Sequence, residues 1–137
     1  MTFALDGRLE ADTLRVGDLA LSRLLVMNDS RWPWLILVPR RAGAVELMDL
    51  DRSDRARLIE EASRAADWLK ARAKADKINV GALGNVVRQL HLHVVARTAG
   101  DPAWPGPVWG FGRAIAYEDA QARSLIEAAR EALGVQT

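Results

Sequence analysis

Both histidines of this chain lie two residues apart in the run Asn85-Val86-Val87-Arg88-Gln89-Leu90-His91-Leu92-His93-Val94-Val95, where polar and apolar residues alternate. Side chains two apart share one face of a strand, so the alternation groups Gln89, His91 and His93 on one face and Leu90, Leu92 and Val94 on the other. An apolar face packs on a core, and the opposite face then presents two imidazoles and an amide in a row. Imidazole titrates at about pH 6.5 and offers a lone pair near neutrality, so such a row suits chemistry on a bound molecule. Two same-face histidines also suit a shared metal. Zinc normally takes three or four protein ligands, however, and the nearest further candidate is Asp101 at an unconvincing spacing, so no metal site is assigned. Plain polar surface is the remaining reading of such a pair.

The elements that must position this row are readable from periodicity. Residues 3–5, 19–27, 35–38 and 78–81 read as strands, with Gly7, Gly17-Asp18 and Asn28-Asp29-Ser30 as breaks and Pro39 closing the third. Between about residues 53 and 75 the pattern turns helical, with Leu58, Ala62, Ala65 and Leu69 at three- or four-residue steps and Ser53 or Asp51 as cap. Residues 98–112 contain proline and glycine at intervals that exclude regular structure, yet carry Trp104, Trp109 and Phe111, the composition of an ordered loop. A last helix is predicted over residues 118–133, with Ala122, Leu125, Ile126, Ala129 and Leu133 on one stripe. The predicted fold class is α+β: a mainly antiparallel sheet with one long inserted helix and a C-terminal helix, in a single domain spanning residues 1–137.

Composition narrows the function classes. The 19 Lys and Arg balance 18 Asp and Glu, a net charge of +1, so no global field marks a nucleic-acid or membrane-surface partner. The absence of cysteine removes disulfides, thiolate catalysis and cysteine-based metal sites. The first eight residues lack a basic start followed by an apolar core, and no segment reaches the roughly 20 apolar residues of a membrane span. A soluble, cytoplasmic protein is the expectation.

The run from Gln89 to Val95 resembles the histidine triad signature, His-φ-His-φ-His-φ-φ with φ apolar, with Gln89 in place of the first histidine. The resemblance continues through Gly84-Asn85-Val86-Val87 and Val95-Ala96-Arg97, and more loosely through Asn28, Leu35-Ile36-Leu37-Val38-Pro39-Arg40 and Glu46-Leu47-Met48-Asp49-Leu50. It implies the family's fold as a homodimer with joined sheets, and a nucleotide as small-molecule partner with no metal or other cofactor. By the same resemblance, His91 is the nucleophile that attacks an α-phosphorus, forming a nucleotidyl-histidine. A neutral imidazole suits that role if its other ring nitrogen donates to a fixed acceptor, for which a neighbouring main-chain carbonyl would serve. His93 is assigned to phosphate binding and, as an imidazolium, to charge stabilisation.

Gln89 and Asn85 are assigned to phosphate and Asn28 to ribose. Asn85 and Asn28 also read as plain turn residues. Val86 stands where relatives have a serine or threonine, and Trp34 where many have a histidine supporting the first triad position. Trp68 reads as packing. Trp32, Trp34, Trp104 and Trp109 would wall a base pocket or fasten a loop, and Arg40, Arg41 and Arg97 would neutralise phosphate or lie in solvent. Two functions follow: a hydrolase or nucleotidyl transferase acting on a phosphoramidate, acyl-nucleotide or dinucleoside polyphosphate, or a nucleotide-binding module without turnover.

Overall fold

The computed structural model describes residues 2–137. Strands β1 (Thr13–Asp18), β2 (Ser22–Met27), β3 (Trp34–Pro39), β4 (Lys77–Gly81) and β5 (Leu92–Arg97) form one sheet in the order β1-β2-β3-β5-β4. Every neighbouring pair is antiparallel. A short helix α1 (Gly7–Asp12) precedes the sheet, the 22-residue α2 (Arg52–Ala73) is inserted between β3 and β4, and α3 (Asp119–Leu133) follows β5. The predicted α+β class with a long inserted helix and a C-terminal helix is the observed one. No helix among the described residues is long and apolar enough to cross a membrane.

Both faces of the sheet are covered, which explains why β3 and β5 are buried at every position. Leu92, Val94 and Ala96 of β5 point with Leu24, Leu35 and Leu37 into a core closed by Leu58, Ala62, Ala65 and Leu69 of α2 and Leu125, Ala129 and Leu133 of α3. The 3- and 4-residue spacing of those helical positions is what lets one stripe of each helix reach the sheet. α2 is capped by Asp51, whose carboxylate accepts the Asp54 N–H at 2.8 Å, and its buried Glu61 accepts the N–H groups of Leu21 and Ser22 at 2.8 and 3.0 Å. A carboxylate inside the helix stripe thus serves the β1–β2 turn.

The opposite face is covered by irregular chain. Leu25, Trp34, Ile36, Val38 and Val95 pack there with Trp32 and Val108, flanked by Phe3, Leu5, Val87, Ala103 and Trp109. Residues 3–5, expected as a strand, lie in this layer without sheet pairing, while β1 forms where only a break at Gly17-Asp18 was expected. The expected strand over 19–27 begins only at Ser22. β1 carries a bulge between Arg15 and Gly17 that disguises its period, and its end pairs with the C-terminal tail through Asp18 and Gln136 at 2.7 and 2.9 Å.

That pairing brings backbone close to Gly17, which has φ +153°, and a Cβ there would lie 2.3 Å from Val135 Cγ1 and 2.6 Å from the Gln136 carbonyl oxygen. Gly17→Ala should therefore lower stability by about 1–3 kcal/mol, the usual cost of overpacking, in urea unfolding.

Candidate active site

β5 begins at Leu92, so the long strand expected from residue 85 onward is not formed. β4 runs out opposite it, pairing Gly81 with His93, and β3 ends its pairing at Leu37 with Leu92. Upstream, the chain leaves the ladder: Leu90 N–H reaches Ala44 C=O at 3.0 Å, and Gly84 turns at φ +68°. His93 still projects to the irregular face by strand alternation. Its face is not an open surface, since His91 and His93 are both over nine-tenths buried.

The two imidazoles are neighbours, with ring centroids 4.8 Å apart. His91 Nδ1 lies 2.7 Å from the Gln89 carbonyl oxygen. A carbonyl only accepts, so Nδ1 carries a proton, and in the neutral ring Nε2 is the nitrogen with the lone pair. This is the fixed main-chain acceptor expected from the sequence, and being backbone it does not depend on the side chain at position 89.

His93 has the opposite arrangement. Trp34 Nε1 donates to His93 Nδ1 at 3.0 Å, and an indole N–H only donates, so Nδ1 is the bare nitrogen and the neutral ring carries its proton on Nε2. Burial, and then the adjacent His91, lower the His93 pKa to about 3. An imidazolium would turn an N–H against the indole N–H. The expected cationic role of His93 is therefore corrected: it is a neutral Nε2–H donor.

An aromatic cage surrounds it. Trp109 lies edge-on to His93 at 5.5 Å and to Trp34 at 6.4 Å, and Trp32 meets Trp34 at 6.3 Å and Phe111 at 6.2 Å. Gly81, the partner of His93 on β4, makes room for Trp109, whose ring would stand 3.2 Å from a Cβ at that position.

The remaining expected site residues are dispersed. Gln89 does not leave its amide free: Oε1 accepts the Asp6 N–H and Nε2 donates to Ala4 C=O, both at 2.8 Å, which ties down the N-terminal segment. Asn85 is exposed in the turn after Gly84. Asn28, just after β2, accepts the Tyr117 N–H at 2.9 Å and lines a cleft of about 430 Å³ with Asp12, Met27, Arg31, Trp34 and Phe111. A second cleft, of about 190 Å³, is bordered by His91, Val45, Leu47, Met48, Leu83 and Arg88. Trp34, whose indole is bonded to His93, thus lines the first cleft, and His91 borders the second.

Three arginines considered for phosphate are engaged elsewhere. Arg97 is buried, its guanidinium paired in two bonds with Asp101 at 2.8 and 2.9 Å and donating to Asn79 at 2.9 Å. Asp101, the third metal-ligand candidate, is committed by that pair. Arg41 makes two bonds to Asp54, and Arg40 donates to the carbonyls of Leu19 and Ala20. In the first cleft, Arg31 is doubly bonded to the buried Asp29 and donates to Phe111 C=O at 2.7 Å. Burial pushes the Asp29 carboxyl up, but Arg31 and the Ile115 N–H together hold it below its ordinary value. Arg31 and Asp29 lay outside the sequence expectations, and their only signal was an Asp-x-Arg pair in a turn.

Removing the indole donor isolates its effect. Between the ordinary imidazole pKa near 6.5 and about 3, the unfolded chain binds a proton at His93 that the folded chain does not. Stability is then full above about pH 6.5 and falls toward pH 3, by up to about 1.4 kcal/mol per unit. In Trp34→Phe the Nδ1 lone pair is released, so His93 should titrate at higher pH, read from imidazole nitrogen shifts by NMR, and the acid loss of stability should shrink.

An antiparallel sheet with an imidazole pair at the start of β5, one helix inserted between β3 and β4 and one C-terminal helix define the class. A HIT domain model matches residues 8–100, and the chain belongs to the histidine triad family. It is 52% identical to a histidine triad protein of Sinorhizobium meliloti 1021 (TM-score 0.94, covering 96% of this chain and 98% of that one). It is 47% identical to one of Bradyrhizobium japonicum (TM-score 0.94, 97% and 99%). A hypothetical histidine triad nucleotide-binding protein of Sulfolobus tokodaii strain 7 shares the fold at 17% identity (TM-score 0.67, 93% and 87%). No curated protein matches the chain.

Proposed function

We infer that this protein binds a nucleoside phosphate and transfers or hydrolyses it at the α-phosphorus through His91. The observation that carries the reading is the pairing of tautomers: an Nε2 lone pair on His91 beside an Nε2–H donor on His93, each enforced by a hydrogen bond to the ring's other nitrogen. His91 Nε2 attacks phosphorus while His93 donates to a non-bridging oxygen, a role that needs a placed dipole and no charge. The nucleoside occupies the cleft of Asn28, Trp34 and Phe111, with Asn28 toward the ribose, and the leaving group lies in the cleft that borders His91. Membership of the family and the nucleotide-binding description of the Sulfolobus relative support a nucleotide as ligand.

Trapping the intermediate tests this: acid-quenched protein should not carry the adduct, whereas neutral denaturation should preserve one nucleotidyl group on His91 by mass spectrometry. Its absence at all quench times, with nucleotide affinity intact, would favour the second reading, a binding module without turnover. Val86, which has no hydroxyl, and the committed amide of Gln89 favour that module. The protein acts as a homodimer joined at the free edge of β4, where Val80 is exposed. Sedimentation should give the mass of two chains, and a proline in place of Val80 should give one.

A further inference from the structure

Resting on the reading that a nucleoside occupies the cleft of Asn28, Trp34 and Phe111, the structure assigns Arg31 as a positioning residue for the nucleobase. Gripped by Asp29, it fixes the main chain at Phe111 so that the phenyl forms the wall on which the base stacks.

Residues 111–117 belong to no helix or strand, so their backbone groups must find partners outside a ladder. They find them on the turn between β2 and β3. Ile115 C=O accepts the Ser30 N–H at 2.6 Å, Ile115 N–H donates to Asp29 Oδ1 at 3.3 Å, and Tyr117 N–H donates to Asn28 Oδ1 at 2.9 Å. Arg31 makes the tie nearest the start of the segment, with Nη1 donating to Phe111 C=O at 2.7 Å. The segment lies so close on the guanidinium that a Cβ at Gly112, whose φ is +60°, would stand 3.1 Å from Arg31 Nη1.

Arg31 is not free to take a phosphate. Its Nε and Nη2 form a fork onto Asp29 at 2.9 and 2.8 Å, and the guanidinium lies 4.5 Å from the centre of the Trp32 ring. The charge is answered by a buried carboxylate, and the third nitrogen is spent on the Phe111 carbonyl. The same fork explains why arginine stands here. Lysine would keep a charge for Asp29, but one nitrogen cannot hold both carboxylate oxygens and reach the carbonyl as well.

The group held this way is left available to a ligand. Phe111 is 44% exposed, lines the cleft, and meets Trp32 edge-on at 6.2 Å without being packed into a core. Its peptide is fixed from both sides, since its N–H donates to Val108 C=O at 3.1 Å and its C=O accepts from Arg31. A base stacks on an aromatic ring only when the two planes can lie offset and face to face, so a phenyl with a fixed main chain binds without first being ordered.

The test is calorimetry of AMP binding to the full-length protein, to Arg31→Lys, to Phe111→Ala and to the double variant. Kd should rise about tenfold in Phe111→Ala, as loss of one stacking partner requires, and about fivefold in Arg31→Lys. With Phe111 already alanine, Arg31→Lys should change Kd by less than about twofold, because a residue that acts through the phenyl has nothing left to act on. In wild type, the Phe111 ring protons should also show a nuclear Overhauser contact to adenine H2 or H8 that weakens in Arg31→Lys, and with only two phenylalanines in the chain a phenylalanine-labelled sample resolves it. Asp29→Asn, which takes the charge from the fork, should reproduce the pattern and replaces Arg31→Lys in the cycle if that variant does not fold.

Equal weakening by Arg31→Lys in both backgrounds would overturn the assignment, since Arg31 would then support the cleft without acting through Phe111. Unchanged AMP affinity in Arg31→Lys, or no contact between Phe111 and adenine while AMP binds, would overturn it too, and each of these results leaves the nucleotide reading standing. No AMP binding to the wild type would overturn the occupancy of this cleft and the assignment together.

Discussion

His91→Ala should reduce release of nucleoside monophosphate by at least about 10³-fold while leaving nucleotide affinity within about threefold, because removal of a nucleophile eliminates the covalent route without removing the binding surface. Among the described residues the side chain makes one hydrogen bond to the protein, the Nδ1–H donated to Gln89 C=O, so truncation leaves that carbonyl to be satisfied. His91 stands beside His93, at 4.8 Å between centroids, and the aromatic packing of His93 against Trp34 and Trp109 does not depend on it. A collapse of the fold is therefore not the expected route to inactivity, and an unchanged circular dichroism spectrum checks this. Initial rates at saturating substrate, with affinity from calorimetry, separate the two effects. Residual activity above about one per cent of wild type would show that His91 orients substrate and that another group attacks.

Arg97→Met should destabilise the protein by at most about 3–5 kcal/mol, the cost of breaking a buried ion pair, reduced by the water that still reaches the half-buried Asp101 carboxylate. Arg97 is about 1% exposed and makes three side-chain bonds, two to Asp101 and one to Asn79. Asp101 in turn accepts the N–H groups of Thr98, Ala103 and Trp104, so one ion pair organises the start of the loop that carries Val108, Trp109 and Phe111 over the imidazoles. Equilibrium denaturation should show the loss in the midpoint, and Trp109 fluorescence should respond before global unfolding if the loop detaches locally.

The double variant Arg97→Met with Asp101→Leu should recover part of the stability, because it removes both charges and leaves no carboxylate unpaired. The pH dependence has a definite sign. The Arg97 guanidinium holds the Asp101 carboxyl well below the ordinary carboxylate range. This stabilisation is complete above the unfolded value of about 3.9 and is lost as pH falls below it toward the folded one. In Arg97→Met that acid-side loss should largely vanish, since the pair that depresses the carboxyl is gone. A variant as stable as wild type would show the clasp to be dispensable.

Local pattern carried the two long helices but not α1, which starts at Gly7, read from the sequence as a break, and is capped by the Asp6 carboxylate accepting the N–H groups of Arg8 and Leu9. The three- and four-residue steps through Leu58, Ala62, Ala65 and Leu69 predicted a helix over 53–75, and α2 occupies Arg52–Ala73 with Asp51 as cap. The stripe through Leu125, Ala129 and Leu133 located α3 within a residue. These signals are legible because helical hydrogen bonds are local and one apolar stripe suffices to dock a helix. β1 was not legible, since its bulge between Arg15 and Gly17 breaks the alternation and its stability comes from pairing with β2 and with Gln136, far off in the chain.

At the site, sequence alone determined which atoms were available: two histidines two residues apart, no cysteine, the amide of Gln89 two residues before His91, and the apolar side chain of Val86. It also supported the main-chain acceptor for His91, because Gln89 C=O lies two residues away along the same chain. The protonation of His93 was decided by tertiary structure, since Trp34 lies 59 positions away and reaches Nδ1 only because β3 pairs with β5. Likewise Gln89 found Ala4 and Asp6 more than 80 positions away, and Arg97 found Asp101 once the loop folded back. Composition and spacing fix which groups can donate or accept, but the direction in which each proton points depends on partners that only long-range packing brings within 3 Å of the ring.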